Sequence, residues 1–346
     1  ASVADIASGS TVTTNGNLVL NSDASGTASL IDNGTVNGSI TAERYIDGYT
    51  TNLNGWHHLS SPVGSFAISG SSFEPGSNDD FFSWNEAAAY WYNYQQPEGP
   101  DNIVPGAGYL VAYETTSTKT FSGALNNSDI TLNNLSYTAN DYQGWHLLGN
   151  PFPCALQWDQ TSWNRTNVDA VAKIWDEGNA SYADLDQGGI IPAMNGFMIH
   201  VNNSANSITI PTADRTHSST AWYKNEELNK LKLTVYDLEG STAQQSVLRF
   251  DESATEGYDS EYDSYYLSGY APQFYTSIDG KPASTNTLPE INEELQVPFY
   301  FIKNASSTYR LEIEGIESLE LDSPVYLTDN KTNQTINLSE MGYYEF

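Results

Sequence analysis

Two stretches of this chain are versions of one another, and that constrains the fold more than any other feature. Gly55-Trp56-His57 recurs as Gly144-Trp145-His146, and Ser83-Trp84-Asn85-Glu86 as Ile174-Trp175-Asp176-Glu177. Ile103-Val104-Pro105, leading to Gly108-Tyr109-Leu110-Val111, recurs as Ile190-Ile191-Pro192, leading to Gly196-Phe197-Met198-Ile199. Each run closes on a β-branched stretch, Thr118–Phe121 in one and Ser207–Ile210 in the other. Four landmarks in one order call for two related β units. They are expected to pack as a pseudo-symmetric domain over residues 47–220, with units at about 47–135 and 136–220.

The flanking regions read differently but also as β. Residues 1–46 alternate short β-branched pieces with Asn15-Gly16, Asn33-Gly34 and Asn37-Gly38, which favour positive φ and tight reversals. Strands so short cannot bury a core alone, so they are expected to stack as β-helix-like or β-roll-like rungs. In residues 221–346, Leu231–Leu238 and Gln245–Phe250 alternate with period two, as half-buried antiparallel strands do. Val297–Ile302, Thr308–Ile316 and Ser323–Leu338 add strands, the last with a hairpin turn at Asp329-Asn330-Lys331. The expected class is all-β, with N-terminal rungs, a duplicated β domain and a C-terminal β-sandwich. Helix is confined to single turns at Asn85–Ala89 and Val168–Lys173.

Charge narrows the partners. The 346 residues carry 43 acidic against 13 basic side chains, a formal charge of −30. Such a surface repels phosphate backbones and anionic lipid, so nucleic acid is excluded as a partner. No apolar run approaches the roughly 20 residues of a membrane helix. The chain begins Ala1-Ser2-Val3, as a processed or trimmed product would. The single cysteine, Cys154, lies between Phe152-Pro153 and Ala155-Leu156 and is expected to be a small buried hydrophobe.

The run SDASGTASLIDNGTVNGSITAERYI followed by GWHHLSSPV and then GWHLLGNPFP resembles the C-terminal halves of large secreted or surface proteins of the Bacteroidota. VLRFDESATEGYDSEYDSYYLSG followed by VYLTDNKTNQTINL carries the same resemblance in the third block. Proteins of this kind look like cargo of the type IX secretion system. The resemblance implies an extracellular, cell-surface location and an adhesin-type or structural role, and it is poorly specific to activity. In such modules the last hairpin is usually followed by another strand and often by a sorting domain. Here the sequence stops at Met341–Phe346, which reads as an excised fragment or as a sheet with an open edge able to accept a neighbour's strand.

No catalytic constellation emerges, and the chain is expected not to be an enzyme. There is no G-x-S-x-G elbow, no H-E-x-x-H and no phosphate-cradling Gly-rich loop. His57 and His146 hold equivalent repeat positions, which a structural role predicts; His200 and His217 are isolated. Glu86, Asp176 and Glu177 are carboxylates that glycosidase chemistry could use, but nothing separates them from turn residues. Calcium is better motivated. Asp259, Glu261 and Asp263 are spaced i, i+2, i+4, with Glu256 nearby, as oxygen ligands of a Ca2+ loop would be. Asp184-Leu185-Asp186 is a weaker candidate.

Aromatic residues are the remaining signal. In AYWYNY, Tyr90, Tyr92 and Tyr94 fall on one strand face and Trp91 on the other. One face is core; the other, with Trp84, is the place to look for a glycan or another surface protein. The functional expectation is a non-catalytic secreted surface module, with glycan recognition at this stripe. Two alternatives stand beside it: an accessory region of a polysaccharide- or protein-degrading enzyme, and an assembly subunit that self-associates through the open C-terminal sheet edge.

Overall fold

A computed structural model describes residues 2–51, 54–218, 230–289, 291, 295–319 and 324–346. The architecture is nearly all β. The described residues form two units: residues 2–174 with 185–218, and residues 175–184 with 230–346. The boundary expected at 220/221 falls outside the described residues.

The first unit opens with a parallel coil. Its strands are β1 Val3–Ile6, β2 Thr11–Thr13, β3 Leu18–Leu20, β4 Ser22–Asp23, β5 Gly26–Thr27, β6 Ser29–Asp32, β7 Thr35–Asn37 and β8 Ile40–Ile46. β1 pairs β6, β2 pairs β7 and β3 pairs β8, all parallel, so two three-strand turns stack as rungs. Asn15, Gly16 and Gly38 take positive φ, as the Asn-Gly pairs predict. Gly34 does not. It is small for another reason, because a Cβ there would lie 2.7 Å from the Ala7 carbonyl oxygen.

The first copy adds β9 His57–Leu59, β10 Phe66–Ala67, β11 Asp80–Asn85, β12 Tyr90–Asn93, β13 Asn102–Ile103, β14 Tyr109–Ala112 and β15 Ser117–Gly123. The second copy has β16 Ile130–Asn133, β17 Trp145–Gly149, β18 Ala155–Gln157, β19 Asn164–Thr166, β20 Ala172–Asp176, β21 Ser181–Leu185, β22 Ile190–Ile191, β23 Gly196–His200, β24 Ser207–Ile210 and β25 Arg215–Thr216. The sheet order β12-β11-β14-β9 is matched by β21-β20-β23-β17. The pair β10–β13 is matched by β18–β22, and β15–β8 by β24–β16. The structural repeats therefore start upstream of residues 47 and 136. Ile40–Ile46, in the stretch read as a separate cap, pairs in full with β15. One core runs through coil and copies, joining Leu20, Leu30 and Ile40 to Phe73, Phe81, Phe121 and Met194.

The two segments read as helical turns are not helical. Residues 86–89 are the turn of the β11–β12 hairpin, and 168–173 run as extended chain into β20. Their apolar residues are placed by sheet packing, which overrides weak local propensity.

The second unit holds β26 Lys230–Asp237, β27 Ala243–Phe250, β28 Ser264–Tyr265, β29 Gln273–Ile278, β30 Lys281–Leu288, β31 Tyr300–Ile302, β32 Tyr309–Glu314, β33 Tyr326–Asp329, β34 Gln334–Asn337 and β35 Tyr343–Glu345. One curled sheet runs β31-β29-β30-β27-β26-β32-β35, with β28 on β30. The hairpin β33–β34 lends Leu327 to a core of Leu231, Leu233, Val235, Phe274 and Tyr309, which gives a sandwich-like body. Tyr343–Glu345, where the sequence suggests an incomplete sheet, is itself a strand on β32. No helix among the described residues is long and apolar enough to cross a membrane.

Candidate functional site

The β11–β12 hairpin carries the aromatic residues singled out in the sequence. Its turn is set by Asn85, whose Oδ1 accepts the Ala88 N–H at 3.0 Å, and by the Ala89 N–H donating to Glu86 O at 3.0 Å. Ala89 is left-handed, with φ 49°. The second copy repeats the device: Asp176 Oδ1 accepts the Asn179 N–H at 2.9 Å, and Ala180 has φ 52°. A constant shift of 91 therefore equates Trp84 with Trp175, Tyr90 with Ser181, Trp91 with Tyr182 and Tyr92 with Ala183.

The five aromatics do not form one stripe. Trp84 lies directly opposite Trp91 in the ladder, with ring centroids 5.1 Å apart, so it shares the Trp91 face and not the tyrosine face. Its Nε1 donates to the Trp145 carbonyl at 2.7 Å, and Tyr142 stands edge-on to its ring at 5.4 Å. That side is fixed to the second copy. Tyr90 and Tyr92 occupy the opposite face with centroids 5.2 Å apart and planes at 68°. Tyr94 lies past the end of β12 and packs against the core, its hydroxyl on Glu74 at 3.3 Å. The solvent-facing pair is Tyr90, 49% exposed, with half-buried Tyr92. Gln96 Nε2 donates to the Tyr90 hydroxyl at 3.4 Å. Tyr142 escapes sequence reasoning, since nothing in its spacing links it to Trp84.

The second copy shows what this hairpin looks like when covered. Trp175 and Tyr182 are buried, and Tyr270 stands edge-on to Trp175 at 6.3 Å. The Ala180 carbonyl accepts the N–H groups of Tyr270 and Ala271 at 2.8 and 3.2 Å. There the positions equivalent to Tyr90 and Tyr92 are the small residues Ser181, which is buried, and Ala183, which is half-buried.

Most residues flagged for chemistry turn out to be bonded to partners within the fold. Glu86 is 2% exposed, and its Oε1 accepts the N–H groups of Thr138 and Gly144 at 2.7 and 2.9 Å. Burial pushes its pKa up, but the Gly144 bond and those from Ser136 and Thr138 outweigh it and hold the carboxyl below its ordinary value. Asp176 is spent on its turn, and Asp184 accepts the Ser284 and Thr285 hydroxyls at 2.8 and 2.6 Å. His57 and His146 bond to carbonyls ten residues upstream, Asp47 O at 2.9 Å and Ser136 O at 2.8 Å. His200 faces buried Asp169 at 2.6 Å, and His217 bonds to Ser29 at 2.7 Å, so neither is isolated.

Cys154 is buried, and burial pushes its thiol up to about 12. A thiol-specific reagent at neutral pH is expected to leave native protein unlabelled and to titrate one thiol after denaturation. Rapid labelling of the native chain would contradict that burial.

The acidic loop is also internally satisfied at its centre. Asp263 is fully buried, with one oxygen accepting the Thr287 N–H at 2.7 Å and the other the Asp259 N–H at 2.8 Å. Burial raises it to about 6. Asp259 accepts the Thr255 N–H at 2.6 Å, while Glu256 and Glu261 lie exposed. Among the described residues no three His, Cys, Asp or Glu side chains converge as metal ligands, so the i, i+2, i+4 spacing does not gather this set. The even spacing suggests a shared side, but the loop turns between Asp259 and Asp263.

No curated protein and no solved structure matches the chain. A family model does, over residues 3–187 and 182–346, and together these matches span nearly the whole sequence. The chain belongs to that family, described as Domain of unknown function (DUF8693).

Proposed function

We propose that this chain is a non-catalytic, secreted cell-surface module of the adhesin type, and that it meets its ligand through the Tyr90–Tyr92 face of the first hairpin. One observation carries the reading. Where the sister hairpin has Ser181 and Ala183, this one has two tyrosines, and Tyr90 is exposed. The two rings lie 5.2 Å apart as a small aromatic patch at the surface, and exposed apolar patches rimmed by polar residues mark contact surfaces. The use of Glu86, His57, His146 and Asp263 as structural anchors further supports a binding role over a catalytic one.

Screening the full chain against an array of glycans and extracellular proteins is expected to give saturable binding. The Tyr90→Ala/Tyr92→Ala variant should weaken it by about tenfold, roughly 1.4 kcal/mol, with the melting temperature nearly unchanged. Binding indifferent to both tyrosines, or none at all, would refute the proposal.

A further inference from the structure

In the second unit, the acidic loop leads into β28 between two tyrosines whose rings lie flat against each other. Tyr258 and Tyr265 have ring centroids 3.9 Å apart and planes at 6°. Both are half-buried, so part of each ring meets solvent. Neither backbone is free to drift. The Tyr258 N–H donates to Asp279 Oδ2 at 3.1 Å, Tyr265 pairs with Ala283 in the ladder, and Lys281 Nζ lies over the Tyr265 ring at 4.9 Å. Other tyrosine pairs differ. Tyr90 and Tyr92 meet edge-on at 68° and 5.2 Å, and Tyr266 and Tyr275 are tilted at 36° and 5.1 Å. Tyr275 and Tyr300 are nearly parallel but 5.7 Å apart. Close parallel contact suits one class of chemistry. A phenol that loses a hydrogen atom becomes a radical whose unpaired spin sits on the oxygen and on the ring carbons beside it, in π orbitals perpendicular to the ring. Two such radicals couple when those orbitals point at one another, so a fixed face-to-face pair starts near the reacting geometry. An edge-on pair does not.

We infer that Tyr258 and Tyr265 form an oxidative cross-linking site, served by a peroxide-driven one-electron oxidant of the peroxidase class. The oxidant takes one hydrogen atom from each hydroxyl, and hydrogen peroxide accepts both and leaves as two waters. A carbon–carbon bond then forms between a Cε of one ring and a Cε of the other. Each of those carbons gives up its hydrogen as a proton, and each phenolic oxygen takes one back, which restores two phenols joined as dityrosine. The product is lighter by two hydrogens and gains no oxygen. It closes a covalent loop round Asp259, Glu261 and Asp263, tying the acidic segment to β28. The site is separate from the Tyr90–Tyr92 surface and does not depend on it.

The test treats the full chain with a haem peroxidase and hydrogen peroxide, dilute enough to keep links within one molecule. Digestion at the carboxylates between the two tyrosines then separates their peptides unless a bond joins them. Mass spectrometry is expected to find Tyr258 and Tyr265 in one linked pair, lighter by two hydrogens, with dityrosine fluorescence to match. Tyr258→Phe keeps a stacked ring but has no hydroxyl hydrogen to lose. It should abolish that pair and leave the melting temperature nearly unchanged. Tyr90 and Tyr92, in the same reaction, should couple with a yield at least about tenfold lower, because their rings meet edge-on. Comparable yields at the two pairs, or an equal yield from chain unfolded in urea, would show that nearness in sequence and not stacking selects the pair, and would overturn the inference. Absence of the Tyr258–Tyr265 link from the oxidised native chain would overturn it outright.

Discussion

Gly144→Ala is expected to destabilise the protein by about 3 kcal/mol or more, a large share of an ordinary stability of about 5–15 kcal/mol. Two effects act together. Gly144 has φ +79°, a conformation that costs an L-residue roughly 1–2 kcal/mol. A Cβ there would also fall on the Val201 carbonyl oxygen and within 3.1 Å of His200 Nε2. Neither neighbour can yield easily, since the Val201 N–H donates to Gly144 O at 2.8 Å and His200 is held by Asp169. Gly70 provides the control, with φ +75° and nothing within 4 Å of its would-be Cβ. Gly70→Ala should lose only about 1 kcal/mol. Urea unfolding of both variants separates backbone strain from crowding, and equal losses would show that the Val201 approach is irrelevant.

Glu86→Ala is the second large effect, about 2–4 kcal/mol. It strips the acceptor from the buried Gly144 N–H and the half-buried Thr138 N–H, and a buried group left unpaired costs roughly 1–3 kcal/mol. Glu86→Gln keeps one carbonyl oxygen and should lose less. The carboxyl also predicts a pH dependence. Its folded pKa lies below the ordinary 4.5, so its contribution is complete above that value and fades as pH falls through the lower folded one. Denaturation curves taken from neutral pH down to about pH 3 should show a shallower acid limb for Glu86→Gln than for wild type. Parallel limbs would mean that Glu86 titrates alike in the folded and unfolded chain.

The repeat was legible because some positions have one physical solution. Gly55 and Gly144 both take positive φ, and both would crowd a backbone neighbour if substituted: a Cβ at Gly55 would meet Tyr49 Cα at 2.6 Å. The histidines two residues on share one bond, to a carbonyl ten residues back. Such constraints preserve residue type across a duplication. Strand alternation likewise placed Tyr90 and Tyr92 opposite Trp91. It could not place Trp84 or Tyr94, because ladder register and strand ends depend on a partner strand and on side chains such as Gln96, whose Oε1 accepts the Asn93 N–H at 3.0 Å. Contacts across long separations were not legible at all. Trp84 meets Tyr142 from a turn with no periodicity, and Asp263 is filled by Thr287 from another strand. Spacing shows which carboxylates are neighbours in sequence, but not which oxygens are already bonded.

The strand β8 has a further consequence for how the chain folds. It pairs parallel with β3 on one side and antiparallel with β15 on the other. The parallel partners Leu18 and Ile40 are 22 residues apart, whereas the antiparallel partners run from 71 (Ile46 and Ser117) to 83 (Ile40 and Gly123), so closing the β15 ladder carries the larger loop cost. Rung and copy thus share one strand, with β3 on one edge of it and β15 on the other. Opening either would bare a strand carrying Ile40, Ala42 and Ile46, a ready template for misassembly with another chain. Sharing that strand couples coil and copy, and both of its edges are covered only once the two ladders have formed.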